Sequence, residues 1–425
     1  MTVTPLTSVL RLLAGPDPKL GPESLRSHLT RLGPRPPGAT GNPPPFIDEL
    51  ARSGLSGRGG AAFPTARKWE AVASRSRGRA IVVANGSEGE PASWKDRTLM
   101  ELRPHLIIDG LLLAAETVGA AEAVIYLPRA FDAARASLTR ATAERREQAE
   151  GLSIPVRVAA GPHRYVAGEE SAVVAHLNGG EAKPTFIPPR PFERGVMGRP
   201  TLVQNVETLA HAALIARLGH VWFRSVGAAA APGTALCSIG GAVAAPGLVE
   251  IALGTTVAEL VAMAGGATAA LEAVLVGGYG GRWLPAATAL PAALGVDVPL
   301  GPGIVVVLSA EDCGLAETVE VLAFLARESA RQCGPCLHGL DALHSTLAAV
   351  VGGKARPADL DRLGRWCGQI AGRGACHHPD GAVRLLRTAL ETFAASAKVH
   401  LRRGPCRGCR RSRLLPTPTM DTRWR

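Results

Sequence analysis

Apolar positions along this chain follow two periods. Ala80–Ala84 (Ala-Ile-Val-Val-Ala) runs without a polar interruption, the pattern of a short strand buried on both faces. Val124–Leu127 and Ile154–Ala159 repeat that pattern. Between them, Thr98–Val118 and Ala130–Ala149 place apolar residues at three- and four-residue spacing, which predicts helices. Further helices are expected near Ile47–Arg52 and from Pro64-Thr65. Strand–helix–strand alternation predicts an α/β fold with a parallel sheet, and such sheets hold ligands at the carboxyl ends of their strands. Asn85–Glu90 directly follows the first strand and falls at such an end.

The pattern changes twice more. Thr234–Ile239, Gly247–Ile251 and Ala273–Val276 are short β-rich runs separated by turn glycines, with one helix expected over Thr256–Ala264. The run Val276-Gly277-Gly278-Tyr279-Gly280-Gly281 reads as structural. From Ala310 to Leu401 the period is helical, through Val319–Leu325, Leu340–Val351 and Val383–Phe393. Before the first strand, a short helical start (Leu6–Leu13) gives way to a Pro/Gly-rich stretch that ends in the linker Asn42-Pro43-Pro44-Pro45.

The length of 425 residues allows two or three domains. No apolar run reaches the roughly 18–20 residues of a membrane span, and Met1-Thr2-Val3-Thr4 lacks a signal-peptide pattern. The expected location is therefore cytoplasmic, and the eight cysteines read as thiols or metal ligands rather than disulfides. The net charge of +11 is concentrated at the end: residues 401–425 hold eight arginines against one acid, Asp421. That stretch reads as a disordered, solvated tail or as a contact for an acidic partner such as a ferredoxin. No nucleic-acid-binding motif is present.

Ser56–Trp69 (Ser-Gly-Arg-Gly-Gly-Ala-Ala-Phe-Pro-Thr-Ala-Arg-Lys-Trp) carries the most chemistry. Gly57, Gly59 and Gly60 let the backbone approach a flat or anionic ligand, and Arg58 and Lys68 bracket the turn with positive charge. Three further motifs follow in order: Asn85-Gly86-Ser87-Glu88-Gly89-Glu90-Pro91 with Lys95-Asp96-Arg97, then Tyr165-Val166-Ala167-Gly168-Glu169-Glu170-Ser171-Ala172, then Pro200-Thr201-Leu202-Val203-Gln204-Asn205-Val206-Glu207-Thr208. Together they resemble the 51-kDa, NADH-binding flavoprotein subunit of respiratory complex I, a family shared with NAD-reducing hydrogenases and formate dehydrogenases.

The resemblance implies a Rossmann-like FMN-binding domain over 46–230, a β-grasp (SLBB) domain over 231–308 and a helical iron–sulfur domain over 309–400, with 1–45 leading in and 401–425 trailing. It implies that Gly57, Arg58, Gly59, Gly60 and Lys68 cradle the FMN phosphate and ribityl chain. Asn85, Ser87, Glu88, Gly168, Glu169, Glu170, Gln204, Asn205 and Thr208 line the rest. Phe63 and Glu90 would contact NADH. The sequence departs from the family at Ser87, where an aspartate is usual, at Ala71 in place of a second aromatic, and at Ile187 and Arg190 in place of a lysine and a phenylalanine. Phe186 and Phe192 lie nearby, and Arg190 leaves NADPH open as the donor.

The family's Cys-x-x-Cys-x-x-Cys cluster motif reads here Ala330-x-x-Cys333-x-x-Cys336, with Cys376 as the distant ligand. The resemblance implies a [4Fe–4S] cluster on Cys333, Cys336 and Cys376; Cys367, Cys406, Cys409, His377 and His378 are candidates for the fourth ligand. Cys333-Gly334-Pro335-Cys336 also has the spacing of a thioredoxin-type redox pair, without the strand that fold requires. Cys237 and Cys313 read as small buried hydrophobes. The function implied is electron transfer from NAD(P)H through FMN and the cluster to a ferredoxin-like or other iron–sulfur protein, with direct hydride transfer and no side-chain acid or base. The rival is a non-catalytic paralogue that keeps the fold, and FMN, as a binding or assembly protein.

Overall fold

A computed structural model describes residues 9–38, 45–147 and 152–425. The described part of the expected Leu6–Leu13 helix forms bends rather than a helix, and the Asn42–Pro44 linker lies outside the described residues. Helices α1 (Leu25–Leu32), α2 (Pro45–Ser53) and α3 (Thr65–Ser76) precede β1 (Ala80–Asn85). Next come α4 (Lys95–Leu102), α5 (Pro104–Thr117), β2 (Ala120–Pro128), α6 (Asp132–Glu147), β3 (Val156–Gly161), α7 (Glu170–Leu177), β4 (Thr201–Asn205) and α8 (Val206–Arg224). The four strands form one parallel sheet in the order β3-β2-β1-β4.

Alternation along β1 sets the two layers: Val82 and Ala84 face the core of α5 and α8, and Ile81 and Val83 face the layer carrying α7. The single helix expected over Thr98–Val118 is two. Pro104 lacks an amide proton and disfavours the helical conformation at Arg103, which sits at φ −128°, ψ 52°. Arg103 is buried there and donates to the carbonyls of Leu13 (2.8 Å), Ala14 (3.0 Å) and Pro16 (2.8 Å), so the break fastens the start of the described chain.

A ribbon of β5 (Gly227–Ala228) and β6 (Ala231–Pro232) leads to β7 (Thr234–Gly241), β8 (Gly247–Ala252), α9 (Val257–Met263), β9 (Leu271–Val276), β10 (Arg282–Pro285), α10 (Ala286–Ala289) and β11 (Ile304–Ser309). They build a mixed five-stranded sheet, β10-β9-β11-β7-β8, in which β11 runs parallel to β7. One face closes over α9 through Val257, Leu260 and Val261. The other, with Leu275, Trp283, Ile304 and Val306, shares a core with the helices that follow. These are α11 (Gly314–Arg327), α12 (Leu340–Val351), α13 (Pro357–Ile370), α14 (His378–Thr392) and α15 (Ala394–Arg403).

The stretch after Leu401, expected to be a solvated tail, packs on this core. Leu415 and Met420 are buried. The amides of Leu414 and Leu415 donate to Glu317 (3.1–3.2 Å). Its few apolar residues and backbone donors find partners that the arginine content conceals. Among the described residues no helix is long and apolar enough to cross a membrane.

Candidate functional site

The strand order reverses between β1 and β4, the crevice where open α/β sheets bind ligands. Both strands end there on asparagine, and Asn85 and Asn205 are register partners. Asn205 Oδ1 caps α8 by accepting from the amides of Glu207 (3.0 Å) and Thr208 (3.4 Å). Its amide nitrogen donates to Asp96 (2.9 Å). Asn85 donates to the Gly168 carbonyl (2.9 Å) and accepts from the Ser87 amide (3.1 Å). The pair thereby ties the sheet edge to α4 and to the turn before α7.

A cavity of about 540 Å³ opens at this edge, within the range of small-molecule sites. Gly59, Gly60, Asn85, Ser87, Glu88, Glu90, Gly168, Glu169 and Asn205 all line it, as does Cys376. Glycine is required where the walls meet. A Cβ on Gly168 would stand 3.0 Å from Ser87 Oγ, and one on Gly89 2.4 Å from the Tyr165 carbonyl oxygen. Gly60 adopts φ +110°. Bare backbone at this edge accommodates a flat, polar ligand, and the cavity fits FMN on that ground.

The remaining predicted residues stand behind or beside the wall. Gly57 closes the loop by donating to the Phe63 carbonyl (2.9 Å). Arg58 is buried and donates to the Thr234 carbonyl (3.1 Å) and Ser56 Oγ (2.9 Å), while its amide donates to Thr208 Oγ1 (2.9 Å). Arg58 and Thr208 therefore shape the loop instead of facing the cavity. Lys68 pairs with Glu170 at 2.7 Å, and neither lines the cavity. The cations that do line it are Lys95, Arg282 and Arg384. Gln204 is buried with Oε1 unpartnered among the described residues. Phe63 and Phe186 are exposed and outside the lining, and Phe192 packs under Arg75 at 5.0 Å.

Three contributors were not singled out from sequence. Tyr165, inside a recognised motif, donates to Glu90 at 2.6 Å. Gly277, Gly280 and Gly281, read as structural, bring the second sheet's loop onto the cavity; four glycines in five residues were the available signal. Arg384 of α14 donates to the Gly280 carbonyl (2.7 Å) and closes the third side.

The carboxylates differ in their surroundings. Burial pushes Glu90 up to about 7, against the Tyr165 hydroxyl and the Tyr279 amide (3.1 Å), which favour its charged form. Glu169 caps α7, accepting from the amides of Ser171 (2.9 Å) and Ala172 (3.1 Å), and burial raises it despite those bonds. Glu88 accepts from the Asp96 amide (3.1 Å) and Arg97 Nε (2.9 Å), so it anchors α4 as well as lining the wall. Lys95 donates to Asp96 (2.7 Å) and Glu207 (2.9 Å); these anions outweigh burial and keep it above the usual lysine range.

Cys333 and Cys336 enter α12 through a widened turn, Pro335–Gly339, and Cys376 stands just before α14. Burial pushes the Cys336 thiol up to about 12, with Cys333 and Cys376 adding repulsion. Burial likewise raises Cys376, to about 11, and Glu169 and Cys333 contribute. The three sulfurs thus feel one another, and Cys376 feels the cavity's carboxylate. These are the three thiols of the expected cluster motif; Ala330 has no donor atom. Among the fourth-ligand candidates, His377 is exposed and pairs with Asp380, while His378 is buried and bonds the Leu325 carbonyl through Nε2 (2.8 Å). His378 Nδ1 has no partner among the described residues. Cys406 and Cys409 lie elsewhere, with Cys313 and His400. Cys313, expected to be only a small hydrophobe, is thus part of a side-chain cluster.

Comparison with known proteins agrees with this layout. The Nuo51 FMN-binding domain matches residues 50–213, the SLBB domain 238–278, and the NADH-ubiquinone oxidoreductase-F iron–sulfur binding region 316–400. The NADH-quinone oxidoreductase F 2 subunit of Rhizobium meliloti (strain 1021) is 33% identical over 86% of this chain and 90% of its own. The alpha subunit of the NAD-reducing hydrogenase HoxS of Cupriavidus necator is 30% identical over 89% of this chain and 63% of its own. A crystal structure of NAD+-reducing [NiFe]-hydrogenase in the H2-reduced state matches with a TM-score of 0.78 at 31% identity, over 84% of this chain. The chain spans 62% of that hydrogenase polypeptide. It belongs to the family of the NADH-binding flavin and iron–sulfur subunit of complex I and of the NAD-reducing hydrogenases.

Proposed function

We propose that this chain takes electrons from NADH or NADPH and delivers them, through FMN and a [4Fe–4S] cluster, to a separate iron–sulfur protein such as a ferredoxin, in the cytoplasm. The observation that carries the reading is Cys376, which lines the same cavity as Gly59, Asn85 and Asn205. The expected cluster ligand and the flavin cradle border one cavity, which supports a direct step between them. FMN bound there supplies the exchange between two-electron and one-electron chemistry.

The chain's own residues position and insulate. The loop of Gly59 and Gly60 and the Asn85–Asn205 edge would hold the flavin by backbone and amide groups. Arg282 and Arg384 bring positive charge to the cavity, and Glu90, held by Tyr165, is the residue that would meet the dinucleotide. Cys333, Cys336 and Cys376 would hold the cluster, with one iron left to a ligand outside this motif.

Ala71, Ile187 and the exposed Phe63 favour a second reading, an FMN-binding chain without nicotinamide oxidation. An anaerobic absorbance titration of the purified chain with NADH, then NADPH, separates the two. Bleaching of the flavin band with loss of the broad iron–sulfur absorbance is expected. A flavin band indifferent to both nucleotides would establish the second reading.

A further inference from the structure

Cys313, His400, Cys406 and Cys409 each turn one donor atom to a common point, and all four atoms lie within 4.8 Å of one another. Cys406 and Cys409 sulfurs are 3.6 Å apart, Cys313 Sγ is 3.4 Å from His400 Nε2, and Cys409 Sγ is 4.0 Å from it. Zinc bonds of about 2.3 Å to sulfur and 2.0 Å to nitrogen, arranged tetrahedrally, put ligand atoms roughly 3.5–3.8 Å apart. A four-iron cluster gives each cysteine its own iron and spreads the sulfurs farther. The set is therefore sized for a single ion.

The surroundings are built for the same purpose. His400 is buried, and its Nδ1 donates to the Gly404 carbonyl at 3.1 Å. That bond fixes the tautomer and leaves the Nε2 lone pair facing the sulfurs, the outer-shell arrangement of metal-bound histidine. Cys313 is buried at the start of α11. Cys406 precedes the turn Arg407–Arg410 and Cys409 lies within it, and that turn sits against residues 311–313 so tightly that a Cβ on Gly408 would be 2.8 Å from the Glu311 carbonyl oxygen. Arg411 holds the other side through Glu311 and Asp312 (2.9 Å). Among the described residues no carboxylate joins the four donors.

We propose that Cys313, His400, Cys406 and Cys409 bind one structural Zn²⁺ that clamps the arginine-rich end of the chain onto the start of α11 and the end of α15. The site is closed, with four protein ligands and no open position, which marks structural rather than catalytic zinc. Binding displaces three thiol protons to solvent and changes no oxidation state. The ion is separate from the iron–sulfur ligands and removes Cys406 and Cys409 from the candidates for the fourth cluster position.

The test is metal analysis of the full chain expressed with zinc and purified under reducing conditions. About one zinc per chain is expected. It persists in the double variant Cys333→Ala/Cys376→Ala, which loses iron, and disappears in Cys406→Ser/Cys409→Ser. Cobalt substitution gives the intense visible bands of a tetrahedral thiolate site in the wild type. Because the serine variant has the risk of misfolding, the wild type is also stripped of zinc with a thiol reagent and chelator. Trypsin cleavage at Arg407, Arg410 and Arg411 then accelerates about tenfold and returns to its original rate when Zn²⁺ is restored. Zinc below about a tenth per chain, zinc retained by the Cys406→Ser/Cys409→Ser variant, or a Cys406–Cys409 disulfide in the reduced preparation would each overturn the proposal.

Discussion

A single carboxyl group illustrates how the cavity sets chemistry at the residue scale. Glu90 touches Tyr165 Oη and the Tyr279 amide, yet burial holds its proton up to about pH 7. In the unfolded chain the same group ionises near its ordinary pH of about 4.3. Below that pH both states are protonated and the group contributes nothing to the pH slope. Between the two values the unfolded state has released its proton and the native state has not, so stability falls as pH rises. Above about 7 the loss is complete. The full shift corresponds to about 4 kcal/mol, and the side open to the cavity reduces the expected loss to about 1–2 kcal/mol. Glu90→Gln should flatten the denaturant-unfolding profile between pH 5 and 8, at the cost of one hydrogen bond throughout. Parallel profiles for the two proteins would show that Glu90 does not titrate there. The residue types of this wall were legible in the sequence: Asn85, Glu90 and Asn205 each sit in a recognisable motif. Their partners were not, because Tyr165–Glu90 and Asn205–Asp96 pair residues 75 and 109 positions apart. Lys68 illustrates the limit. A lysine beside a glycine loop suggests phosphate; its pairing with Glu170, at the start of α7, is a contact across 102 positions that no motif displays.

At the scale of elements, periodicity located β1 and the inner part of β2, which are buried runs; β3 lies at the edge of the sheet with only Val156 and Gly161 buried, and β4 was not read as a strand. Periodicity merged α4 and α5 because both carry the same apolar spacing, and only Pro104 marked the break. Beside the shared apolar core, α4 and α8 are joined by an electrostatic contact that is invisible to periodicity. Lys95, first residue of α4, lies between Asp96 and Glu207 in the first turn of α8, and Glu207 also accepts from the Leu236 amide (2.9 Å). Both partners of the Lys95–Glu207 pair are almost fully enclosed. Removing one charge of such a pair strands the other in a poorly solvated site and typically costs about 3–5 kcal/mol. Lys95→Met should therefore destabilise strongly, and adding Glu207→Gln should recover part of that loss, because glutamine still accepts from Leu236 without a charge to bury. Chemical denaturation of the two single variants and the double variant measures the coupling. Additive losses would mean that the pair is solvated and contributes little to joining the helices.

The whole molecule makes the cavity from three parts. The parallel sheet contributes Asn85 and Asn205, the second sheet contributes Gly277–Gly281, and the helical region contributes Cys376 and Arg384. None of these parts encloses a ligand by itself, so the electron path depends on how firmly they dock. Arg164 is central to that docking. Its guanidinium donates to Glu328 at 2.6 Å, beyond the end of α11, and stacks on the Trp424 ring at 3.9 Å. Trp424 in turn accepts through its carbonyl from the Ala182 amide (2.8 Å), and Asp421 accepts from the His163 amide (2.9 Å). The end of the chain thus runs from the Cys313–His400 cluster, past Glu317, back to the flavin-binding part, and acts as a strap across both. Composition alone pointed to a solvated tail because eight arginines dominate it; Leu414, Leu415, Asp421 and Trp424, between those arginines, hold it together with the Arg411 ion pairs. Asp421→Ala/Trp424→Ala removes the far end of the strap and leaves the four-ligand cluster intact. The lost side-chain bond and the cation–π contact are each of order 1 kcal/mol, so thermal unfolding should shift to lower temperature by about 2–4 °C in a chain of this size. In the anaerobic titration, the same variant should keep the response of the flavin band to the reduced nucleotide and slow the loss of iron–sulfur absorbance, because the sheet edge is untouched while the Cys376 wall is loosened. Unchanged unfolding together with unchanged electron transfer would show that the strap is decoration on a junction already held by the shared core of the second sheet and α11–α14.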